Sequence, residues 1–302
     1  MTSTPDTRHK LLIVNIIKLL RPAQWLKNGF VFLPMFFGGS LTSGQAWLQS
    51  AIAFFTFCFA ASAVYCLNDI VDAPADRMHP VKCRRPVAAG LISVVQAIAV
   101  MLVCAAAAVV LPLLLLSGPD VAWLAVGYLL LNVAYSLKLK QFAVVDVFII
   151  ATGFVFRVMA GGVACDRPLS PWIICMTFLI TLFMAFAKRR DDVVIYERSG
   201  TLTRKNTVNY NLPFLDQAIG MLATITMVCY LMYCLSGDVM DRFGSEHIYL
   251  TSIFVLAGLV RYLQLTIVMQ QSGSPTRMLT TDRFLQVCVV GWLASFAAII
   301  YM

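Results

Sequence analysis

The chain has 302 residues, 60% of them hydrophobic and only 13% charged, with a mean hydropathy of +0.81. Soluble domains carry roughly 25% charged residues, so this composition excludes them and marks a polytopic membrane protein. The net charge of +8 follows from where the cations lie in a membrane topology and does not point to nucleic acid as a partner.

In chain order, residues 1–14 read as a flexible cytoplasmic tail, polar and basic over Met1–Lys10. Nine apolar stretches of spanning length follow, at roughly 22–38, 46–67, 93–116, 120–137, 142–163, 171–187, 214–236, 248–270 and 283–302. They are too numerous for a cleavable signal. The first is interrupted by Lys27 and Asn28 and could lie along the interface. No linker rich in Pro, Gly or Ser divides the chain, so a single domain over 1–302 is expected. With the N-terminus inside, 19 of the 23 lysines and arginines fall on one side of the membrane; the exceptions are Arg157, Arg167, Arg242 and Arg261. That bias orients the N-terminus to the cytoplasm of a plasma (inner) membrane protein. The nine cysteines lack metal-type spacing and read as small packing residues.

The densest chemistry follows the second span, in Asn68-Asp69-Ile70-Val71-Asp72-Ala73-Pro74-Ala75-Asp76-Arg77-Met78-His79-Pro80-Val81-Lys82-Cys83-Arg84-Arg85. On a helix, Asp69, Asp72 and Asp76 share one face. Three like charges there repel, and a divalent cation removes the conflict. Carboxylates in this density suit Mg²⁺, which binds through one or two carboxylates plus substrate phosphates. The cations Arg77, Lys82, Arg84 and Arg85 then hold phosphate oxygens. A solvated loop of mixed charge is the plain alternative. Pro74 predicts a kink or an end, putting Asp76 on a turn. His79 reads equally as a loop hydrogen-bonding group or a phosphate contact.

A second charged loop opens with Lys188-Arg189-Arg190-Asp191-Asp192. It reads as a second phosphate pocket that a bundle could bring to face the first, or as a topology anchor. Lys27, Asn28, Asn68, Tyr135 and Lys138 are further candidates for substrate contact, since polar groups at span ends need partners. Lys138 and Lys140 read equally as snorkelling anchors, and Trp25 as an interfacial belt residue. Arg157 reads as structural; Arg261 is left open between a lipid phosphate and a neighbouring helix.

The pattern Asn68-Asp69-x-x-Asp72-x-x-x-Asp76 resembles the first aspartate-rich motif of the UbiA superfamily of membrane prenyltransferases. The resemblance covers nearly the whole chain. It implies an all-α bundle of about nine transmembrane helices around a central cavity open to the cytoplasm, with Asp69, Asp72 and Asp76 binding a diphosphate through Mg²⁺. Members acting on aromatic acceptors carry a second acidic run after span six. Here Ile195 and Tyr196 stand where its second pair would be. The string Asp76-Arg77, His79-Pro80, Lys82, Arg85-Pro86 and Gly90, with Leu20-Arg21-Pro22-x-Gln24-Trp25-x-Lys27-Asn28 and Lys188-Arg189-Arg190, resembles the decaprenyl-phosphate phosphoribosyltransferase branch.

That branch implies transfer of 5-phosphoribose from phosphoribosyl diphosphate to a polyprenyl phosphate, for cell-envelope glycan synthesis. One acidic run and two basic clusters suit a metal-bound diphosphate and two further phosphates. Prenyl transfer to an aromatic or other small acceptor is the alternative. A lipid-phosphate transporter is a third reading, against which the charge at one face counts. Polyprenyl length is not written in the sequence, and homo-oligomerisation is left open.

Overall fold

The computed structural model describes residues 5–78, 81–200, 204–270 and 275–301. His79 and Pro80 of the charged run lie outside them. All regular structure among the described residues is helical. The long helices are α1 (Pro5–Leu20), α2 (Gly44–Arg77), α3 (Val94–Leu115), α4 (Asp120–Leu137), α5 (Val145–Ala164), α6 (Pro171–Ser199), α7 (Leu212–Cys234), α8 (Ser252–Leu263) and α9 (Arg283–Tyr301). Helix α8 runs on as a π turn, Gln264–Val268. Helices α2 to α9 supply eight elements long and apolar enough to cross a membrane, so this is a multi-pass membrane protein.

Three expectations change. Residues 5–14, expected as part of a flexible tail, belong to α1. The segment 22–38 is not a ninth spanning helix. It forms a 3₁₀ helix, Pro22–Phe32, and a five-residue α-helix, Leu33–Phe37. Pro34 stands in the first turn of the short α-helix, where its missing N–H costs least, so it marks the start of a new helix after the 3₁₀ segment. The helices reach further into the charged runs than expected from the kink or end at Pro74 and from the loop reading after span six. Helix α2 continues through Pro74 to Arg77, and α6 continues to Ser199, where Gly200 at φ 66° ends it. At 1.5 Å per residue, the 34 residues of α2 extend roughly 50 Å. That exceeds a hydrocarbon core of about 30 Å, so apolar length alone does not mark the helix end.

The chain forms two compact units, one of residues 1–140 and 156–169, the other of 141–155 and 170–302. In the first, α2 is the central helix, packed on α3, α4 and the Pro22–Phe32 segment. Its buried face is rich in small residues, among them Ala53, Ala60, Ala61, Ser62 and Ala63. Small side chains let helices approach closely where hydrophobic expulsion into lipid gives no drive. The closest approach is at Gly161 of α5, where an added Cβ would stand 1.9 Å from the Val31 carbonyl oxygen.

The buried Arg157 is held in this unit. Its Nε donates to Asn28 Oδ1 at 2.7 Å and its Nη2 to Tyr128 Oη at 3.0 Å. Its guanidinium also lies over the Tyr128 ring.

In the second unit, Phe183, Phe186, Leu215, Ile219, Leu222, Tyr262 and Leu265 form the core between α6, α7 and the α8 region. Arg261 pairs with Asp282 at 2.7 Å, which settles its partner as a neighbouring helix start.

Candidate active site

In the first unit the three aspartates of α2 each meet a cation. Arg21 Nη2 is 2.5 Å from Asp69 Oδ1. Arg85 Nη1 is 2.6 Å from Asp76 Oδ2 and 3.6 Å from Asp69 Oδ1. Lys140 Nζ is 2.6 Å from Asp72 Oδ1. Asp69 and Asp76 are buried, while Asp72 is partly exposed. The continuous helix explains this, because residues three and four apart stack on one face. Asp76 therefore comes from the helix and not from a turn.

Arg21 adopts φ 53° and ψ 60° at the start of the 3₁₀ segment. A non-glycine residue in this left-handed region costs energy that surrounding structure must hold. The holders are Asp69 and the Tyr65 ring, 5.0 Å beneath the guanidinium. Nearby, Trp25 Nε1 donates to Ser62 Oγ at 3.1 Å. The indole thus ties the segment to α2 and is not only a belt residue.

The donor set can be tested against Mg²⁺. Among the described residues, no three His, Cys, Asp or Glu side chains form a group that could hold a metal ion, so the expected three-carboxylate cage is not preformed. Asp69 and Asp76 nevertheless share one Arg85 nitrogen, and Asp69 Oδ2 is buried without a hydrogen-bond partner. A buried carboxylate oxygen left unmatched is costly. Two carboxylates completed by substrate phosphates are the usual protein share of a Mg²⁺ site. The residues fit the ion on that basis.

Other predicted residues fall around this cluster in differing states. Lys82 and Arg84 lie on a 3₁₀ turn, Lys82–Arg84, with Lys82 partly buried and Arg84 exposed. Arg77 and Lys138 face solvent, and Lys27, Asn68 and Tyr135 are partly buried. Asn28 is set apart from these. It is fully buried and committed to Arg157 and to Cys58 Sγ, so the fold uses it internally. Arg21 and Lys140 were missed as site residues. Arg21 stood within a quoted string, but no local spacing could reveal a partner 48 residues away.

The second unit has its own charged cluster. Arg189 is 1% exposed, with Nε 2.7 Å from Asp146 Oδ2 and Nη1 2.7 Å from Asp192 Oδ2. Arg204 Nε lies 3.4 Å from Asp192. Tyr210 Oη donates to Asp146 Oδ1 at 3.1 Å and accepts from the Val144 backbone N–H at 2.6 Å. Burial pushes the Tyr210 phenol up to about 12, so it stays protonated as a donor. Arg190 pairs with Asp216 at 2.5 Å and donates to the Thr266 carbonyl at 2.9 Å. Arg189 and Arg190, expected to bind phosphate, are engaged in internal ion pairs. Their positions on α6 turn them into the protein, and only Lys188 of the three is partly accessible.

A helical, multi-pass membrane protein with an acid-rich helix end flanked by cations is the class this architecture defines. The profile of the UbiA prenyltransferase family matches residues 31–299, and the chain belongs to that family. It is 33% identical to the decaprenyl-phosphate phosphoribosyltransferase of Mycolicibacterium smegmatis, over 97% of this chain and 94% of that protein. It is 30% identical to the protein of the same name from Corynebacterium glutamicum, over 97% and 89% respectively. A UbiA homolog from Archaeoglobus fulgidus, solved bound to GPP and Mg²⁺, shares the fold. The TM-score is 0.71 at 18% identity, over 95% of this chain and all of that one.

Proposed function

We propose that this protein transfers 5-phosphoribose from phosphoribosyl diphosphate to a polyprenyl phosphate, releasing diphosphate and polyprenyl-phosphoryl phosphoribose. The observation that carries the reading is the Asp69–Arg85–Asp76 cluster with its buried, unpartnered carboxylate oxygen. It lies in a chain similar over nearly its full length to proteins named for that activity. The protein is a glycosyltransferase of the inner membrane, with its N-terminus and site on the cytoplasmic side, feeding cell-envelope glycan synthesis.

Asp69 and Asp76, with Asp72, would hold Mg²⁺, which when bound neutralises charge on the departing diphosphate. Arg21 fixes one oxygen of Asp69 and leaves the other directed for use. Arg85 keeps the two buried carboxylates from repelling one another. Lys82 and Arg84 contact phosphate oxygens, with Arg84 suited to forked contacts. The bond from C1 of the ribose to the diphosphate oxygen breaks, and that oxygen keeps the electron pair. C1 gains oxocarbenium character, as in glycoside chemistry. An oxygen of the lipid phosphate then bonds C1 from the opposite face, with inversion. That oxygen is already anionic near neutral pH, so the protein supplies no general base. Catalysis is positioning and electrostatics.

The test is transfer by purified protein in detergent, given ribose-labelled phosphoribosyl diphosphate and a polyprenyl phosphate, with Mg²⁺ or EDTA. Label entering the lipid fraction only with Mg²⁺ supports the reading. Absence of transfer by folded protein across several lipid lengths overturns it.

A further inference from the structure

Helices α6 and α7 pack side by side in the second unit, and two contacts fix their register. Toward one end Arg190 pairs with Asp216. Toward the other the Trp172 and Tyr233 rings meet, with centroids 6.5 Å apart. Residues three and four apart on a helix stack on one face. Cys175 stands three residues after Trp172, and Cys229 four before Tyr233. The register therefore sets these two cysteines against each other, and their thiols interact.

The pair differs from the other cysteines. A packing role calls for burial, yet of the nine cysteines Cys175 alone is exposed, and Cys229 is partly exposed. Both are free thiols. Both also lie near a helix end. At 1.5 Å per residue, Cys175 is roughly 6 Å from Pro171 and Cys229 roughly 7.5 Å from Cys234. The headgroup region takes about 5–7 Å on each side of the hydrocarbon, so the thiols sit where it begins. Successive spans reverse direction, so α6 runs the same way as α2, whose far end carries the aspartates. The start of α6 and the end of α7 thus lie on the opposite face. With the aspartates in the cytoplasm that face is outside, where thiol pairs are oxidised; cytoplasmic ones are kept reduced.

We propose that Cys175 and Cys229 form a disulfide that ties α6 to α7 at the outer face. The partner in the reaction is the disulfide of a thiol–disulfide oxidoreductase. The Cys175 thiolate attacks one of its sulfurs and displaces the other. The Cys229 thiolate then attacks the Cys175 sulfur, forming the Cys175–Cys229 bond and releasing the oxidoreductase as a dithiol. Two electrons pass to the oxidoreductase, and the two cysteine protons end on its thiols through solvent. The proposal rests on the functional reading above only for which face is outside.

The first test oxidises the purified full chain in detergent with oxidised glutathione and reads peptide masses. A reduction-sensitive peptide pair joining Cys175 to Cys229 is expected, absent from Cys175→Ser. Its absence from folded wild type, or equal joining of Cys175 to other cysteines, overturns the site whichever face is outside. The second test alkylates free thiols as cells are lysed, before purification. The same joined peptides are expected in most of the protein. Both cysteines alkylated there, in a protein that cross-links once purified, overturns the modification in the cell. Reductant is expected to lower the thermal midpoint of the oxidised wild type by several degrees and to leave Cys175→Ser unmoved. Lipid transfer is measured separately, so a missing disulfide leaves the transferase reading intact, and failed transfer leaves the disulfide.

Discussion

Arg85 sets its Nη1 2.6 Å from Asp76 Oδ2, and the same nitrogen reaches back to a second carboxylate, Asp69, at 3.6 Å. One cation therefore balances two acids seven positions apart on α2. The arrangement separates the roles of charge and shape. Asp69→Asn and Asp76→Asn keep the side-chain volume and lose the charge. Each is expected to lower transfer by about 100-fold or more, with a thermal midpoint within a few degrees of wild type. Transfer rate and thermal unfolding in one detergent check this. Near-normal transfer by Asp69→Asn would remove the metal role from that residue.

Asp146 is expected to behave in the opposite way. Asp146→Ala leaves the buried Arg189 with one of its two carboxylates and removes the acceptor for Tyr210. Breaking a buried pair from one side costs about 3–5 kcal/mol. The expected outcome is a large fall in thermal midpoint and in yield. Any folded fraction keeps the wild-type KM for both substrates. A stable variant with a raised KM would return Arg189 to the substrate-binding residues.

The contact between Gly161 and the Val31 carbonyl leaves no room for a side chain, since a Cβ would stand at 1.9 Å. Backbone must move to admit even Ala. Gly161→Ala is expected to destabilise by about 1–3 kcal/mol, whereas Gly220→Ala, with open space around the added atom, is expected to be tolerated. Paired thermal midpoints of the two variants are the measurement.

The pH dependence of one ion pair can be stated with its sign. Hydrogen bonding from Arg261 and from the Leu285 backbone N–H holds the Asp282 carboxyl below its ordinary value of 3.8. Asp282 also stands at the N-cap position of α9, where an ionised acid is favoured. A carboxyl depressed in the folded state adds stability above its unfolded pKa and loses it as pH falls through the folded value. Wild type is thus expected to be more stable than Asp282→Ala at neutral pH. The gap should narrow below about pH 4. A gap that stays constant down to pH 2 would count against the ion pair.

The apolar lengths and the aspartate spacing carried most of the fold, because spans and helix faces are local properties of sequence. The spans over α2 to α9 were legible for that reason. The limits were also local. Pro74 argued for a break, yet packing kept α2 helical to Arg77. Lys188-Arg189-Arg190 read as one phosphate-binding unit. A helix turns successive residues about 100° apart, so adjacent arginines met different carboxylates, Asp146 with Asp192 for one and Asp216 for the other. Arg21 and Lys140 were hidden because their partners lie 48 and 68 residues away.

The Asp146–Arg189 pair also bears on how the protein is made. The two residues are 43 positions apart, and the acid is synthesised first. At roughly 5–20 residues per second, about 2–9 s pass before the arginine leaves the ribosome. Over that interval the first turn of α5 holds a carboxylate whose counter-charge does not yet exist. The seating of α5 in the bilayer is therefore provisional until α6 arrives. A ribosome pausing between the two codons would lengthen the time in which quality-control proteases meet a half-built membrane protein.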